Sequence, residues 1–205
     1  KYRYWAPAGY INPSFSIKSN GFTRTGYTFN KWALGSTSGT QYSAGATVTL
    51  TASSTAYALW TAVAFTWIQN GVAASGYTLK LSQNGLGQYS DTSFDGLTSV
   101  ADLVVIPNDA SDGYGKNPVV QCYTNYINTG GATKMTVSVG NCSGEYNSIF
   151  LNGVGGEEWV VNYSGHTSHT FTVTPNANVR LMIQVGTYAL SGTAEMQITT
   201  VKFHT

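Results

Sequence analysis

The residues of this 205-residue chain that can do acid–base chemistry are few and poorly spaced for it. Glu157 and Glu158 are adjacent, and neighbouring side chains on a strand leave opposite faces. Glycoside hydrolysis needs two carboxylates facing one bond. A partner such as Asp95 or Glu145 would have to complete a site, and nothing in the spacing selects one. His166 and His169 stand in Ser164-Gly165-His166-Thr167-Ser168-His169, a polar turn entering a strand. No Gly-x-Ser-x-Gly elbow accompanies them, so a nucleophile triad has no support. A third metal ligand is lacking as well, and the pair reads as solvated turn histidines.

The loop Asn108-Asp109-Ala110-Ser111-Asp112-Gly113-Tyr114-Gly115 offers more. Asn108, Asp109 and Asp112 are hard oxygen ligands, and Gly113 allows the sharp turn that a calcium loop requires, though the spacing is not that of an EF-hand. Tyr114 between glycines could instead stand as a stacking platform beside two carboxylates, as in a glycan site. Plain turn chemistry accounts for the same residues. No other cofactor is indicated. Cys122 and Cys142 allow a single bridge. They flank an expected hairpin turn, Asn128-Thr129-Gly130-Gly131, that would not set them directly opposite each other. The bridge is the expectation, with two buried thiols as the alternative. No Cys/His spacing suits zinc. Asn162-Tyr163-Ser164 is a glycosylation sequon, with Asn162 out of phase with Trp159 and Val161.

Charged residues make up only 9% of the chain, against ~25% in typical soluble domains. Thr, Ser, Gly, Asn and Tyr take their place, a composition common in extracellular filaments, virion proteins and glycan binders. The formal net charge is +1, without the Lys/Arg cluster that nucleic acid demands. The longest apolar run, Ala56 to Ile68, is interrupted by Thr61 and Thr66 and is shorter than the ~20 residues of a membrane helix. A start at Lys1 fits a processed chain or a fragment of a longer one.

The elements that must position these residues read as strands throughout. Val179, Leu181, Ile183 and Val185 alternate with Arg180, Met182 and Gln184, and Met135, Val137 and Val139 repeat the period of two. Further strands are expected at 77–81, 103–106, 119–127, 148–151, 159–163, 169–174 and 195–203. Ala64, Thr66 and Ile68 alternate with Phe65 and Trp67, ahead of an Asn70-Gly71 hairpin turn. Met196 and Ile198 share one phase while Val201 and Phe203 share the other, which predicts a bulge near Thr199–Thr200. Short strands between Gly and Asn turns point to a sandwich. Five of the nine acidic residues fall in the loop-rich stretch 82–114.

Near the start, Lys1 to Tyr10 holds Tyr2, Tyr4, Trp5 and Tyr10, four aromatics in ten residues. The segment is either an irregular strand completing a core or an arm that packs on a neighbouring subunit, strand addition included. After it comes Phe22-Thr23-Arg24-Thr25-Gly26-Tyr27-Thr28-Phe29-Asn30-Lys31-Trp32. A polar loop leads on to Tyr42-Ser43-Ala44-Gly45-Ala46-Thr47-Val48-Thr49-Leu50-Thr51, and the stretch closes on Tyr57-Ala58-Leu59-Trp60. Tyr27, Phe29 and Trp32 can load one side of a strand, and Val48 and Leu50 alternate with threonines. Trp32 and Trp60 are the expected core.

Residues 22–60 resemble the Listeria–Bacteroides repeat, the module of internalin B-repeats and of many Gram-positive and gut-bacterial surface proteins. The resemblance implies a β-grasp-like module and a surface location. The expectation is an all-β protein, a repeat-like module over 1–62 packed on a β-sandwich over 63–205. Its expected role is non-enzymatic: a structural or adhesive component of a bacterial surface or phage virion, bound to other protein subunits or to cell-surface glycan. A carbohydrate-binding module of a secreted protein is the alternative, and a secreted hydrolase the third reading. An oligomer or larger assembly is expected, with no nucleic-acid partner and no membrane insertion.

Overall fold

The computed structural model describes residues 1–4, 14–84, 89–107, 118–153, 155–161, 167–187 and 192–205. Among them every regular element is a strand. The chain divides into two compact units, Lys1–Val63 and Ala64–Thr205.

The first unit holds β1 (Tyr2–Tyr4), β2 (Ser14–Ser16), β3 (Tyr27–Leu34), β4 (Gln41–Tyr42), β5 (Thr47–Thr49) and β6 (Ser54–Ala62). Four of these form an antiparallel sheet in the order β1-β6-β3-β4, and β2 pairs with β5 as a ribbon. Ile17, Trp32, Val48, Leu50 and Ala56 make the core, so the ribbon and its flanks supply the second layer. Strict alternation would send Phe29 and Trp32 to opposite faces. The ladder with β6 instead sets Phe29 opposite Trp60 and Lys31 opposite Leu59, leaving Asn30 unpaired. This bulge resets the phase, and the Phe29 and Trp32 rings meet at 5.2 Å. The indole Nε1 of Trp32 donates to Lys18 O at 2.9 Å, which satisfies its one polar atom. Trp60 departs from expectation. It is half-buried and lies outside the core, meeting Phe29 edge-on at 6.1 Å.

The second unit holds β7 (Phe65–Gln69), β8 (Val72–Ala73), β9 (Leu81–Gln83), β10 (Leu103–Val105), β11 (Val119–Thr124), β12 (Ile127–Asn128) and β13 (Lys134–Ser143). It continues with β14 (Ser148–Leu151), β15 (Glu158–Val160), β16 (Ser168–Thr172), β17 (Asn178–Val179), β18 (Leu181–Gly186) and β19 (Ala194–His204). A six-stranded sheet runs β16-β13-β19-β7-β8 with β10 beside β19, and a five-stranded sheet runs β15-β14-β18-β11-β9. Side chains from both enter one core, Trp67, Leu103, Met135, Ile149, Leu181 and Phe203 among them. The fold is therefore all-β and sandwich-like.

Bulges and turns set its phase. Ser138 pairs with Thr200 and Val139 with Ile198, so Thr199 is the extra residue and both expected phases of β19 reach the core. A second bulge at Trp67, between the Val201–Ile68 and Lys202–Thr66 pairs, was not legible in the alternation. It turns Trp67 and Ile68 inward together. Asn70 and Gly71 have φ of 52° and 75°, the left-handed pair of a type I′ hairpin joining β7 to β8.

The expected hairpin at 128–131 does not form. β11 belongs to the five-stranded sheet and β13 to the six-stranded one, so 125–133 carries the chain between sheets. The turn chemistry there is real, with Gly130 N donating to Asn128 Oδ1 at 2.9 Å. A turn signal does not dictate which strands pair, however, and β12 pairs with β17. Residues 77–80 are likewise no strand. Their backbone is held by Asn125, whose Oδ1 accepts from Lys80 N at 2.8 Å.

Candidate functional site

Outward-facing side chains on the five-stranded sheet come together around Arg180. The expected continuous strand 179–185 breaks at this residue, between β17 and β18. Its backbone leaves the ladder and is gripped by Asn152. Asn152 N donates to Arg180 O at 2.9 Å, and Arg180 N donates to Asn152 Oδ1 at 3.2 Å. Next in the chain, Leu181 N donates to the buried Thr124 Oγ1 at 2.9 Å, which locks the start of β18 onto the end of β11. The guanidinium then lies 3.8 Å over the Tyr123 ring and 4.9 Å from that of Tyr126. Tyr126 is fixed from behind by Asn125, which donates to Tyr126 O at 3.2 Å and to Thr78 O at 3.3 Å. Gly153 gives the Tyr123 ring its room, because a Cβ there would sit 3.0 Å from the Tyr123 hydroxyl.

Two properties give this cluster chemical reach. Tyr126 is 58% exposed, which leaves ring surface open to solvent. The guanidinium has no ion-pair partner among the described residues, and its Nε is buried without a hydrogen bond. Arginine held on aromatic faces keeps its planar fork available for an oxyanion. Beyond Tyr123 the same sheet row runs through Met182 and Phe150 to Glu158, and the next row through Gln121, Gln184 and Ser148. Gln121 Nε2 donates to Gln184 Oε1 at 2.7 Å, which in turn donates through its Nε2 to Tyr146 O at 3.2 Å. Met182 in the first of these rows and Ser148 in the second are buried, so the open part of this face lies at the Arg180–Tyr126 end.

The six-stranded sheet carries a shallow groove of about 370 Å³ on its outer side, lined by Ala64, Thr136, Ser138, Thr200, Lys202 and His204. Thr136 Oγ1 lies 2.9 Å from His204 Nε2 and 2.8 Å from Thr170 Oγ1, so these two lining side chains are already paired.

The residues singled out from sequence fare differently. The expected Cys122–Cys142 bridge is absent: both are free thiols, because the crossover at 125–133 puts β11 and β13 in different sheets. Burial pushes the Cys122 thiol up to about 12. Cys142 is also raised, by burial first and by the Glu195 charge, against a hydrogen bond from Asn147. Glu157 and Glu158 turn to different partners. Glu157 Oε1 lies 2.9 Å from His169 Nε2, while Glu158 Oε1 accepts from Ser148 Oγ at 2.8 Å. His169 also stacks on Trp159 at 5.7 Å, where the edge strands β15 and β16 meet. Asn108, Asp109, Asp112 and Tyr114, the sequon residue Asn162, and His166 lie outside the described residues. No group of three or more His, Cys, Asp or Glu side chains able to hold a metal occurs among those described.

The first unit offers a core rather than a site: a bulged β3, a Thr-Val-Thr strand and a crossed pair of aromatics around Trp32. Residues 12–59 match the Listeria-Bacteroides repeat domain. That repeat occurs in surface and secreted proteins. No curated protein matches the chain.

Within the repeat unit the aromatic arm is partly accounted for. β1 is an edge strand paired to β6, with Tyr2 opposite Ala56 and Tyr4 opposite Ser54. The Tyr2 ring packs at 5.2 Å from Phe22 and 5.3 Å from Trp32, so it completes this unit's own core and is not a free interaction residue. Trp5 and Tyr10 lie outside the described residues.

The Arg180 cluster was missed in the sequence although one signal for it was present. Arg180, Met182 and Gln184 are the outward phase of the clearest strand, and Tyr123 is outward on its neighbour. Their meeting depends on register between segments more than fifty residues apart in the chain, which alternation cannot supply.

Proposed function

We propose that the chain is a non-enzymatic, extracellular component that works by binding, as a structural or adhesive part of a bacterial envelope or of a particle attached to one. The observation that carries this reading is the repeat match over residues 12–59, folded around its own Trp32 core in a chain whose other unit is a separate sandwich. Modular β units of this kind present surfaces; catalysis would need convergent groups. Glu157 and Glu158 are engaged by different partners, His169 and Ser148. The two thiols are raised away from the thiolate form that nucleophilic attack requires.

A glycan-binding role is favoured by a specific feature, the exposed Tyr126 ring beside an unpaired guanidinium. In this reading the sandwich supplies the contact and the repeat unit sets it within a larger surface protein. The test is to incubate the full chain with isolated bacterial envelope polysaccharide and to assay supernatants for new reducing ends. Retention on the polysaccharide without product supports the proposal. Steady product release in proportion to protein would sink it and return the chain to the hydrolases.

A further inference from the structure

We propose that Tyr123, Arg180 and Tyr126 form a receptor for an acidic sugar residue, with the guanidinium fork pairing the sugar's carboxylate and the open face of Tyr126 stacking on the pyranose ring. The inference rests on the binding role proposed above and names its ligand class.

The guanidinium is positioned before any ligand arrives. Asn152 holds the Arg180 backbone from both its N–H and its C=O, and Tyr123 supports the side chain at 3.8 Å. The side chain is half-buried, so little rotamer freedom is left to lose on binding. Its charge has no counter-ion among the described residues, and the chain as a whole is nearly neutral at +1. The attraction is therefore local and specific to this point on the surface. A planar carboxylate matches the two parallel N–H directions of the fork, whereas a lysine would offer only a point charge. Tyr126 supplies the second half of the recognition. Its ring is 58% exposed and its backbone is anchored through Asn125, which makes it a rigid platform for the apolar face of a sugar. Beyond Tyr123 the row closes, because Met182 is fully buried, so the contact surface is the Arg180–Tyr126 end alone.

The groove on the opposite sheet offers no exposed aromatic ring among its described lining residues, and its Thr136 hydroxyl is already within bonding distance of His204 and Thr170. The Glu157 and His169 side chains already bond each other at 2.9 Å.

The probes are tetragalacturonic acid and its fully methyl-esterified form, titrated into the full chain and followed by calorimetry or by chemical-shift changes. The acid should bind saturably, with a dissociation constant on the order of 1 mM or tighter. The ester should bind at least ~10-fold more weakly, and Arg180→Lys, which keeps the charge but loses the fork, should weaken the acid by a similar factor. Tyr126→Ala removes only an exposed ring and should lose about 5-fold or more, by analogy with aromatic stacking elsewhere. Because that variant leaves the core untouched, it tests the site even if an Arg180 variant folds poorly. Equal binding of acid and ester, with no effect of either substitution, overturns the acidic-sugar inference and leaves the binding role standing. No binding of either probe, with retention on envelope polysaccharide intact, has the same meaning. If the chain binds neither probe and cleaves the polysaccharide, both proposals fail together.

Discussion

Cys122 carries a pH signature that follows from its burial. Its thiol is raised to about 12 in the folded chain, against an ordinary value near 9.0. Between these values the unfolded chain has lost the proton and the folded chain still holds it, so unfolding releases a proton. The stability is intact below about pH 9 and is lost as pH rises toward 12, by up to ~1.4 kcal/mol per pH unit inside that window. Urea midpoints should therefore fall between pH 9 and 10.5, and Cys122→Val should abolish the part of the slope due to this thiol. An unchanged slope in the variant would assign the effect elsewhere. The same thiols should take up iodoacetamide twice in denaturant without reductant, whereas in the native state Cys122 should stay unlabelled. A second residue-scale contrast separates two tryptophans. Trp32→Ala should cost ~3–5 kcal/mol, since the side chain is fully buried among aromatics. Trp60→Ala should cost only ~1 kcal/mol, as expected of a half-buried ring outside the core. Chemical denaturation of both variants would show whether the costs diverge. At this scale the sequence made residue type legible and burial only in part. Trp60 closes a motif full of core aromatics, yet its place on β6 beside the Asn30 bulge leaves it at the margin.

Among the elements, what alternation could reveal was the face of each strand, and it did so well where strands are long. Leu181 to Val185, Met135 to Val139 and the phase change at Thr199 all find their counterpart in the sheets, whereas Val179 falls on the far side of the break at Arg180. Partner choice was hidden, because period two says nothing about which neighbour a strand takes. Residues 128–131 read as a tight turn and in fact lie within the 125–133 crossing between sheets, stitched by Thr129 Oγ1 donating to Thr174 O at 2.7 Å. The connection after β13 depends on one side chain. Asn147 Nδ2 donates to Ser143 O at 2.7 Å and Gly144 O at 3.2 Å, and its Oδ1 accepts from Gly186 N at 3.1 Å. Asn147 is fully buried, so Asn147→Ala would strand these groups and should cost ~2–4 kcal/mol, read from thermal or urea melts. A loss below ~0.5 kcal/mol would mean that water replaces the amide freely. The β7–β8 hairpin gives a backbone counterpart. Gly71 has φ of 75°, and a Cβ there would fall 2.4 Å from Ala101 Cβ. Gly71→Ala should therefore destabilise well beyond the ~1 kcal/mol of a Gly-to-Ala change in open space.

For the whole molecule, the all-β class and the repeat segment were legible because both rest on local pattern: turn residues, alternation and a run of aromatics. The Arg180 cluster was not, since it assembles Tyr123 at the end of β11 with Tyr126, Asn152 and Arg180 from three separate connections of the sandwich. The unit Ala64–Thr205 has a continuous core of its own. Expressed alone, it should give a β-type circular dichroism spectrum and a cooperative melt; a spectrum without cooperative loss would contradict an independent core. The role proposed for this chain is to hold a saccharide surface without altering it, through the Arg180–Tyr126 face. The most direct measurement is co-sedimentation of the full chain with insoluble bacterial envelope polysaccharide, with reducing ends assayed in the same tubes. The account predicts saturable retention that free tetragalacturonic acid displaces, that Arg180→Lys weakens at least ~10-fold, and that releases no reducing ends. Absence of retention, or reducing ends that accumulate with time and protein concentration, would contradict it.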